Sequence, residues 1–485
     1  MPYFHGVYNS EIGTSLVAPI VGSAGLQVAF GTAPIHLSKN PAAAVNKPML
    51  CYSFAECQQN VGYSDNFKDF TLCQSIDACF RVFNIAPIVL VNVLDPRKER
   101  HTTVNAAEDC PVVDGQAVYK KPYVLLDTLE IRNNGEALAE GDFIADHDND
   151  GNVLITILDQ TAMDAASLSV ASKSLNPAGV TREDVVGGVD ALTGQETGLE
   201  LVRHIYPKLG MVPGLLLAPG WSGDAVIAAA LQSKTEAING VFSCSCLLDI
   251  PTEGDNGAAV YTDAKVAKEK MGATSNHAVA LWPMVAVGDK IYHYSAMFGA
   301  LTAYTDASNA DVPYESPSNK DLRITATVLA DGTEVVLDEQ QVNDMLNANG
   351  IISAINDSGF KSWGNNTAAY PSTTDPKDRW FAVRRFFDWD GNNFIRTYKQ
   401  KVDKPGNKRL IQSIVKSQNI VGNGYVAREY CAGYKMEFLE SENPATNLIN
   451  GHLTVHTKLA PYIPGEYIEN VREYDVDALV TALTA

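Results

Sequence analysis

Residues 212–238 read VPGLLLAPGWSGDAVIAAALQSKTEAI, and this stretch sets the fold class. The unbroken apolar run Val212–Ala218 predicts a strand that is buried on both faces. Asp224–Ile238 predicts a helix with one apolar face. A buried strand that passes through a Pro-Gly turn into a helix is the unit from which α/β folds are built.

The turn itself, GWSGD at residues 220–224, lies where an esterase would place its nucleophile. That motif requires G-x-S-x-G, and its last position here is Asp224. The turn also lacks the lysine of a phosphate-binding loop. We therefore predict that Ser222 is the N-cap of the following helix and that Asp224 lies favourably in the first turn.

The α/β pattern continues on both sides of this stretch. It comprises strands at Gly25–Pro34, Ala86–Leu94, Cys244–Ile250 and Ala278–Val287, and helices at Phe67–Phe83 and Leu199–Leu209.

Residues 101–190 differ in character, because short alternating segments are separated by Asn, Asp and Gly turns. They predict an inserted β-rich domain. Within them, ADHDNDGNVLITIL (145–158) resembles the start of an EF-hand loop. An EF-hand needs a bidentate Glu at its twelfth position, which here is Ile157. We expect a turn between two strands rather than a calcium site.

The C-terminal third is predicted to contain both helices and strands. We expect helices at Asp338–Asn349, Asn393–Val402 and Asn407–Ile420, and strands at Trp380–Phe386, Gly433–Leu439 and His452–Lys458. Two terminal arms flank the whole. One carries a strand at His5–Ile12, and the other carries a strand at Glu466–Tyr474 followed by a short helix.

Composition narrows the functional classes. The 485-residue chain is 46% hydrophobic and 19% charged, as expected for a multi-domain protein with a large core. Its net charge of −20 disfavours nucleic acid or an anionic membrane as the main partner. We see no secretory signal at the N-terminus, and the apolar stretch Leu16–Leu37 is too broken to span a membrane. The eight cysteines form no C-x-x-C pair, which predicts reduced thiols.

The remaining candidate sites each have a simpler interpretation. His452 and His456 would stand about 13 Å apart on a strand, too far to share a metal ion. Cys244 and Cys246 would point to one side of a buried sheet and pack in the core. We therefore predict no catalytic residue, no metal and no cofactor.

One charged segment stands out against the acidic whole. Residues 377–416 hold eleven Lys and Arg against four Asp, a local net charge of +7. Solvated helix faces would explain it. So would a surface that docks on an acidic partner or on the acidic exterior of another copy.

Six segments in order resemble the contractile tail sheath family. They are HGVYNSE with GLQVAFGTAP, LLLAPGWSGDAV, LLDIP, the segment YHYSAMFGALTAYTDASNADVPYESPSNK, the pair LNANGIISAINDSGFKSWGNNT, and the ending ENPATNLINGHLTVHTKLAPYIPGEYI. The resemblance covers nearly all of the chain except residues 101–190.

The resemblance implies a mixed α/β (α+β), multi-domain sheath subunit with extended strand arms. The implied division is an N-terminal arm (1–20), an outer α/β domain (21–100 and 191–332), an inserted β-rich domain (101–190), a C-terminal tube-facing domain (333–458) and a C-terminal arm (459–485). The inserted domain would decorate the outside of the tube.

The function implied is that of a structural protein, not an enzyme. Such a subunit polymerises helically around an inner tail tube and contracts to drive the tube through a cell envelope. Its partners would be further copies of itself, the tail tube protein, and baseplate and terminator proteins, in a bacteriophage virion tail assembled in the host cytoplasm.

The implied contact residues fall into two groups. The arms would add strands to neighbouring subunits through His5, Gly6, Val7, Tyr8, Glu466, Tyr467, Ile468, Val471 and Tyr474. Docking on the tube or a neighbour would use Arg396, Lys399, Lys401, Lys404, Lys408, Arg409 and Lys416.

Two alternatives remain open at this point. One is a sheath of a non-viral contractile particle, such as a phage-tail-like bacteriocin. The other is an α/β enzyme with an unrecognised site.

Overall fold

The computed structural model of the chain describes residues 20–148 and 150–485. The predicted N-terminal arm strand, including His5, Gly6, Val7 and Tyr8, lies outside the described residues.

An eight-stranded central sheet forms the body of the molecule. In spatial order its strands are Phe360–Trp363, Ile351–Asn356, Ala278–Leu281, Ser245–Asp249, Leu215–Leu217, Gln27–Gly31, Ile88–Asn92 and Met49–Cys51. The six inner strands are parallel and the two edge strands antiparallel. The inner strands are almost wholly buried, which explains why they appear in the sequence as continuous apolar runs.

Helices accompany this sheet, as the α/β pattern predicts. They are Phe54–Val61, Leu72–Asp77 with the π-helical continuation Ala78–Phe83, Val202–Leu209, Ala225–Ser233, Ala264–Met271 and Tyr294–Ser308. A further helical segment runs through Glu339–Gln341, Val342–Leu346 and Asn347–Asn349. Smaller ladders join Ile20–Val21 to Ile85–Ala86, Gly188–Val189 to Glu196–Thr197, and Met284–Val287 to Lys290–Tyr292 and Ala326–Val328.

The inserted segment forms a separate seven-stranded sheet. Its order is Phe143–His147, Val153–Ile157, Gln116–Tyr119, Thr102–Val113, Ser167–Leu175, Glu130–Asn133 and Glu136–Ala137, and every neighbouring pair is antiparallel. Short helices follow at Gln160–Met163 and Arg182–Val186. The sheet has a hydrophobic cluster of its own around Tyr119, Ile155 and Val170.

The predicted turn at residues 148–152 is confirmed as the connection between two of these strands. The Asp148 carboxylate accepts hydrogen bonds from the backbone N–H groups of Asp150 and Asn152, which closes the turn.

The C-terminal part comprises a short helix Pro376–Arg379, two long helices, Phe381–Tyr398 and Lys408–Ala427, and a two-stranded hairpin, Cys431–Glu437 with His456–Pro461. A short helix Ala445–Ile449 lies within the hairpin connection, and the last helix is Val476–Thr484. Phe386 and Tyr430 form the centre of a small core here, with Trp389 and Tyr425 packed against it.

Two expectations are corrected by this architecture. Trp380–Phe386 is not a strand but the start of the helix Phe381–Tyr398. The last hairpin strand begins at His456 rather than His452, because Asn443 holds the backbone of Thr454 in a loop through two hydrogen bonds. The predicted domain boundary at residue 333 stays a prediction, although strand Ile351–Asn356 pairs with Ala278–Leu281 across it.

A buried ion pair joins the long helix to the body. The Arg385 guanidinium donates to both carboxylate oxygens of Asp306, and their side chains are 4% and 1% exposed. The burial makes each charge dependent on the other, because removing one leaves the other unpaired in a site of low dielectric constant.

We predict that Arg385→Met lowers the free energy of unfolding by about 3–5 kcal/mol. The double variant Asp306→Asn with Arg385→Met should recover most of that loss, because it leaves no buried charge. Urea unfolding of the unassembled chain measures both. Equal stability of the two variants would show that the buried charge is not the cause.

Candidate assembly interface

The helix Phe381–Tyr398 attaches the C-terminal part to the amino-terminal ends of the central strands. Asn392 makes two hydrogen bonds with the backbone of Ser243. Its Nδ2 donates to the Ser243 carbonyl (2.7 Å), and its Oδ1 accepts from the Ser243 N–H (3.1 Å). Asp388 lies 3.2 Å from Nε2 of His277, just before strand Ala278–Leu281. With the Arg385–Asp306 pair, these contacts fix the helix at three points along its length.

The hairpin packs closely on the second long helix. A Cβ added at Gly422 would lie 2.0 Å from Cδ1 of Tyr434, so glycine is required for this approach. Asn419 exchanges hydrogen bonds with the backbone N–H and C=O of Met436. Helix and hairpin therefore form one rigid layer.

Beneath this layer lies the buried carboxyl group of Asp390. The Tyr434 hydroxyl donates to its Oδ2 over 3.1 Å and in turn accepts from Nε2 of Gln418 over 2.7 Å. Burial raises the pKa of Asp390 to about 6, although the Tyr434 hydrogen bond opposes the shift. The carboxyl group therefore gains a proton in the mildly acidic range.

The hairpin has no neighbouring strand at either edge among the described residues. Its two strands pair with each other and with no other strand of the described residues. Such an edge is a template on which a strand from another chain can add.

Beyond the hairpin, residues 462–475 have no regular secondary structure. The predicted strand Glu466–Tyr474 is therefore not formed within one chain, while the predicted short helix is present at Val476–Thr484. Four arm side chains predicted to contact a neighbour are highly exposed: Tyr467 79%, Ile468 92%, Val471 82% and Tyr474 71%. Large apolar side chains at this exposure favour a partner that covers them.

The base of the arm is held by Glu466, which the prediction placed in the arm strand. Its carboxylate accepts hydrogen bonds from Nη2 of Arg379 and Nδ2 of Asn365, both at 3.2 Å. The Arg379 guanidinium lies 4.5 Å from the Tyr370 ring centroid and 4.0 Å from that of Trp380. Local sequence patterns do not reveal this contact, because Glu466 lies 87 positions from Arg379 and 101 positions from Asn365.

The basic segment divides into two groups. Lys377, Arg379, Arg384 and Arg385 form ion pairs with acidic side chains. None of the seven residues predicted for docking makes an ion pair with a described residue. They lie along the end of the helix Phe381–Tyr398, the turn Lys399–Lys401, the following loop and the helix Lys408–Ala427.

Two of the seven occupy an unfavourable position. Lys408 and Arg409 begin the helix Lys408–Ala427, where the partial positive charge of the helix dipole disfavours cations. An external acidic group would offset that cost.

The GWSGD turn has a different role from the one predicted. Asp224, not Ser222, is the N-cap, since its side chain accepts the backbone N–H groups of Val226 and Ile227. Ser222 is fully buried and bonds instead to Asp249, the last residue of strand Ser245–Asp249. The Ser222 prediction was wrong because the neighbouring strand's carboxylate is not visible in local sequence.

The order of the central strands reverses between Gln27–Gly31 and Leu215–Leu217, where doubly wound folds usually bind ligands. Here the side chains of Thr71 and Trp221 meet at that crevice. Thr71 Oγ1 would lie 2.2 Å from a Cβ added at Gly31, and it accepts a 3.3 Å hydrogen bond from the indole N–H of Trp221.

The other candidates occupy structural positions. Cys244 and Cys246 are buried in the core, as predicted, and all eight cysteines are free thiols. Nδ1 of His456 lies 2.8 Å from Oε1 of Glu442. Among the described residues, no cluster of three or more His, Cys, Asp and Glu side chains could hold a metal ion, and no helix has the length and apolarity needed to cross a membrane.

Comparison with known proteins relates the chain to sheath proteins, although no family model matches it. The tail sheath protein of Burkholderia phage BcepMu is 26% identical over 490 residues, covering 99% of this chain and 98% of that protein. A putative prophage major tail sheath protein of Pseudomonas aeruginosa is 29% identical over 235 residues, covering 47% of this chain and 56% of that protein.

Solved structures share the fold at lower identity. The sheath complex of the extracellular contractile injection system PVC, in its contracted state, has a TM-score of 0.57 at 15% identity and covers 99% of both chains. The contracted helical sheath of the anti-feeding prophage has a TM-score of 0.56 at 14% identity, covering 98% of this chain and all of that one.

We predict that Asp390→Asn removes a pH-dependent loss of stability. Because the folded-state pKa is raised, the folded chain binds the proton more tightly, so wild-type stability falls as pH rises from about 4 through 6. Relative to the variant, the wild type should lose up to about 3 kcal/mol over that range. Urea unfolding of the unassembled chain between pH 4 and 7.5 measures it.

Asp403→Asn, in the exposed loop before the helix Lys408–Ala427, is the matched control and should keep the wild-type profile. If the difference in free energy of unfolding between the wild type and Asp390→Asn does not change with pH, the pH dependence does not come from Asp390.

Proposed function

We propose that the chain is a contractile tail sheath subunit, which polymerises helically around an inner tail tube and contracts to drive that tube through a cell envelope. One observation carries the proposal. The same chain has a hairpin with no neighbouring strand and an exposed C-terminal arm that forms no strand of its own. Copies related by one repeated, non-closing contact form a helical filament.

The proposed joint between copies is main-chain hydrogen bonding. The arm residues Glu466–Tyr474 of one copy would add as a strand to the hairpin edge of the next. The same contact would cover the four exposed arm side chains, Tyr467, Ile468, Val471 and Tyr474. Backbone ladders of this kind tolerate rigid-body rotation of the subunits they connect, because their bonding does not depend on particular side chains.

The seven unpaired cations suggest the second contact. We propose that they face the inner tube or an acidic surface of a neighbouring copy, because their charge opposes the net charge of −20 of the whole chain.

A purely structural role is consistent with the contact between Thr71 and Trp221 at the strand-order reversal. The sequence relatives are sheath proteins. We propose that no chemical turnover is involved, and that contraction draws on new contacts between subunits.

Placement in a bacteriophage tail, assembled in the host cytoplasm, is favoured by the near full-length similarity to a phage protein. The second candidate is a non-viral contractile particle, since the anti-feeding prophage baseplate structure has the same fold, with a TM-score of 0.59 at 14% identity. In either particle the ends of the sheath would meet baseplate and terminator proteins.

Deletion of residues 466–485 should abolish tube formation by the purified chain, because it removes the donor strand. Negative-stain electron microscopy measures the loss. The melting temperature of the unassembled chain should change by less than about 2 °C, since almost all of the removed side chains are exposed.

Leu192→Ser, at a residue that is 98% exposed elsewhere on the surface, is the control and should leave the tubes intact. Normal tubes from the truncated chain would exclude the arm as the connecting element.

Reversing charge at Lys408, Arg409 and Lys416 to Glu should weaken co-assembly with tube protein at least tenfold at low ionic strength and reduce its salt dependence. Co-sedimentation across a salt series measures both. The matched control reverses Lys39, Lys47 and Lys68, which are also exposed and unpaired among the described residues. Equal loss in both triple variants would point to net charge rather than to this surface.

A further inference from the structure

Two histidine rings meet where the inserted sheet contacts the body. His36 follows strand Gln27–Gly31 of the central sheet, and His147 ends a strand of the inserted sheet. Their ring centroids are 5.3 Å apart. Phe70 of the body and Tyr123 of the inserted segment lie 5.8 and 5.5 Å from the His36 ring and 5.0 Å from each other. We call these four side chains the histidine joint.

The imidazoles of the joint have little to bind. Nδ1 of His36 and both ring nitrogens of His147 are shielded from solvent and have no hydrogen-bond partner of ordinary geometry among the described residues. Neutral imidazoles tolerate such a site. A charged ring would carry its unsatisfied N–H donors into it, and a second charged ring would add direct repulsion.

The charged groups around the joint do not supply a counter-ion for both rings. Asp146 and Asp148, beside His147 in the chain, and the backbone of Val124 favour its protonation. Asp69 is engaged by the hydroxyl of Tyr123, 2.8 Å from its Oδ2. Burial nevertheless lowers the pKa of His147, and burial together with His147 lowers the pKa of His36 to about 3.

A second set of contacts lies at the two segments that connect the inserted sheet to the body. Asp184 accepts hydrogen bonds from Lys98 and Arg100, both at 2.5 Å, and lies 3.1 Å from Nε2 of the buried His101. These partners hold the pKa of Asp184 well below its usual range. Nδ1 of His101 accepts the backbone N–H of Asp95 over 3.0 Å, and burial lowers the pKa of this ring, so its neutral form is favoured, while Asp184 keeps its ion pairs with Lys98 and Arg100.

We propose that mild acid opens the histidine joint while the connecting segments stay fixed, so that the inserted sheet swings away from the body as a unit. Docking and undocking differ in the protons they bind: with the joint open, each imidazole returns to its ordinary pKa near 6.5. Below that value the docked form loses up to about tenfold in its equilibrium constant per pH unit for each histidine that stays neutral in the docked form. Above it, the joint is insensitive to pH.

Hydroxyl-radical labelling of the side chains of the full-length, unassembled chain at pH 7.5 and 5.0, with chelator present, tests this, because the rings of the joint are covered only while the inserted sheet is docked. The labelling rate of Phe70 and Tyr123 should rise by between about 30-fold and 1000-fold at pH 5.0, as the open fraction grows. Tyr119, in the inserted sheet's own hydrophobic cluster, and Phe30, in the central sheet, should not change. An unchanged labelling rate at the joint in the wild type would overturn the proposal without any variant.

Substitutions then show whether His36 and His147 cause the pH dependence. His147→Phe and His36→Phe should each halve the pH dependence on a logarithmic scale, and the double variant should remove it. His456→Asn, at the exposed histidine beside Glu442, should behave as wild type. Tyr123→Phe should keep the pH dependence, since it alters the joint without removing an imidazole. Full pH dependence in the double histidine variant would place the titrating groups elsewhere.

Discussion

Every backbone N–H and C=O group must be bonded either within the chain, to water or to another chain, and this constraint governs the molecule. The central sheet satisfies it internally, and its edges are short antiparallel strands, Phe360–Trp363 and Met49–Cys51. The two strands of the C-terminal hairpin pair with no further described strand. A sheet of two strands is marginal by itself. The proposed addition of a neighbour's arm would extend this sheet and join the copies through backbone hydrogen bonds.

If an assembled sheath contracts, each subunit would have to move as a rigid body. Buried polar contacts hold the parts of the subunit together and so allow this. Arg385 with Asp306, Asp388 with His277, and Asn392 with Ser243 join one helix to three separate parts of the central sheet and its helices. Such contacts are directional, so the helix can occupy one position on the sheet. The hairpin is fixed to the neighbouring helix with equal precision at Gly422, where no side chain fits. Flexibility is left to the arm.

The inserted sheet is joined to this body more lightly. Its own hydrophobic cluster is separate from the main core, so it retains its packing whether or not it is docked. The connecting segments and the histidine joint differ in chemistry. The connecting segments contain opposite charges that stabilise each other, whereas the histidine joint contains two neutral rings whose protonation would be unfavourable. The chain therefore combines a body held together by buried charged contacts with an inserted sheet whose attachment, in our proposal, responds to pH.

The sequence by itself determined the α/β core, the inserted β-rich segment and the Asp148 turn, because continuous apolar runs, alternating segments and Asx-Gly turns are local signals. It also carried the order of segments by which the family is recognised. It did not determine the helix at Phe381, whose short apolar run fits a strand equally well until its buried face meets the sheet.

Tertiary structure alone decided the N-cap at Asp224, the start of the last hairpin strand, the anchoring of Glu466 by Arg379 and the meeting of His36 with His147. In each case the deciding partner is a side chain remote in sequence, at Asp249 for Ser222 and at Arg379 for Glu466. Periodicity reports which face of a segment is buried, but the identity of the group that lies against that face is set by how the layers pack.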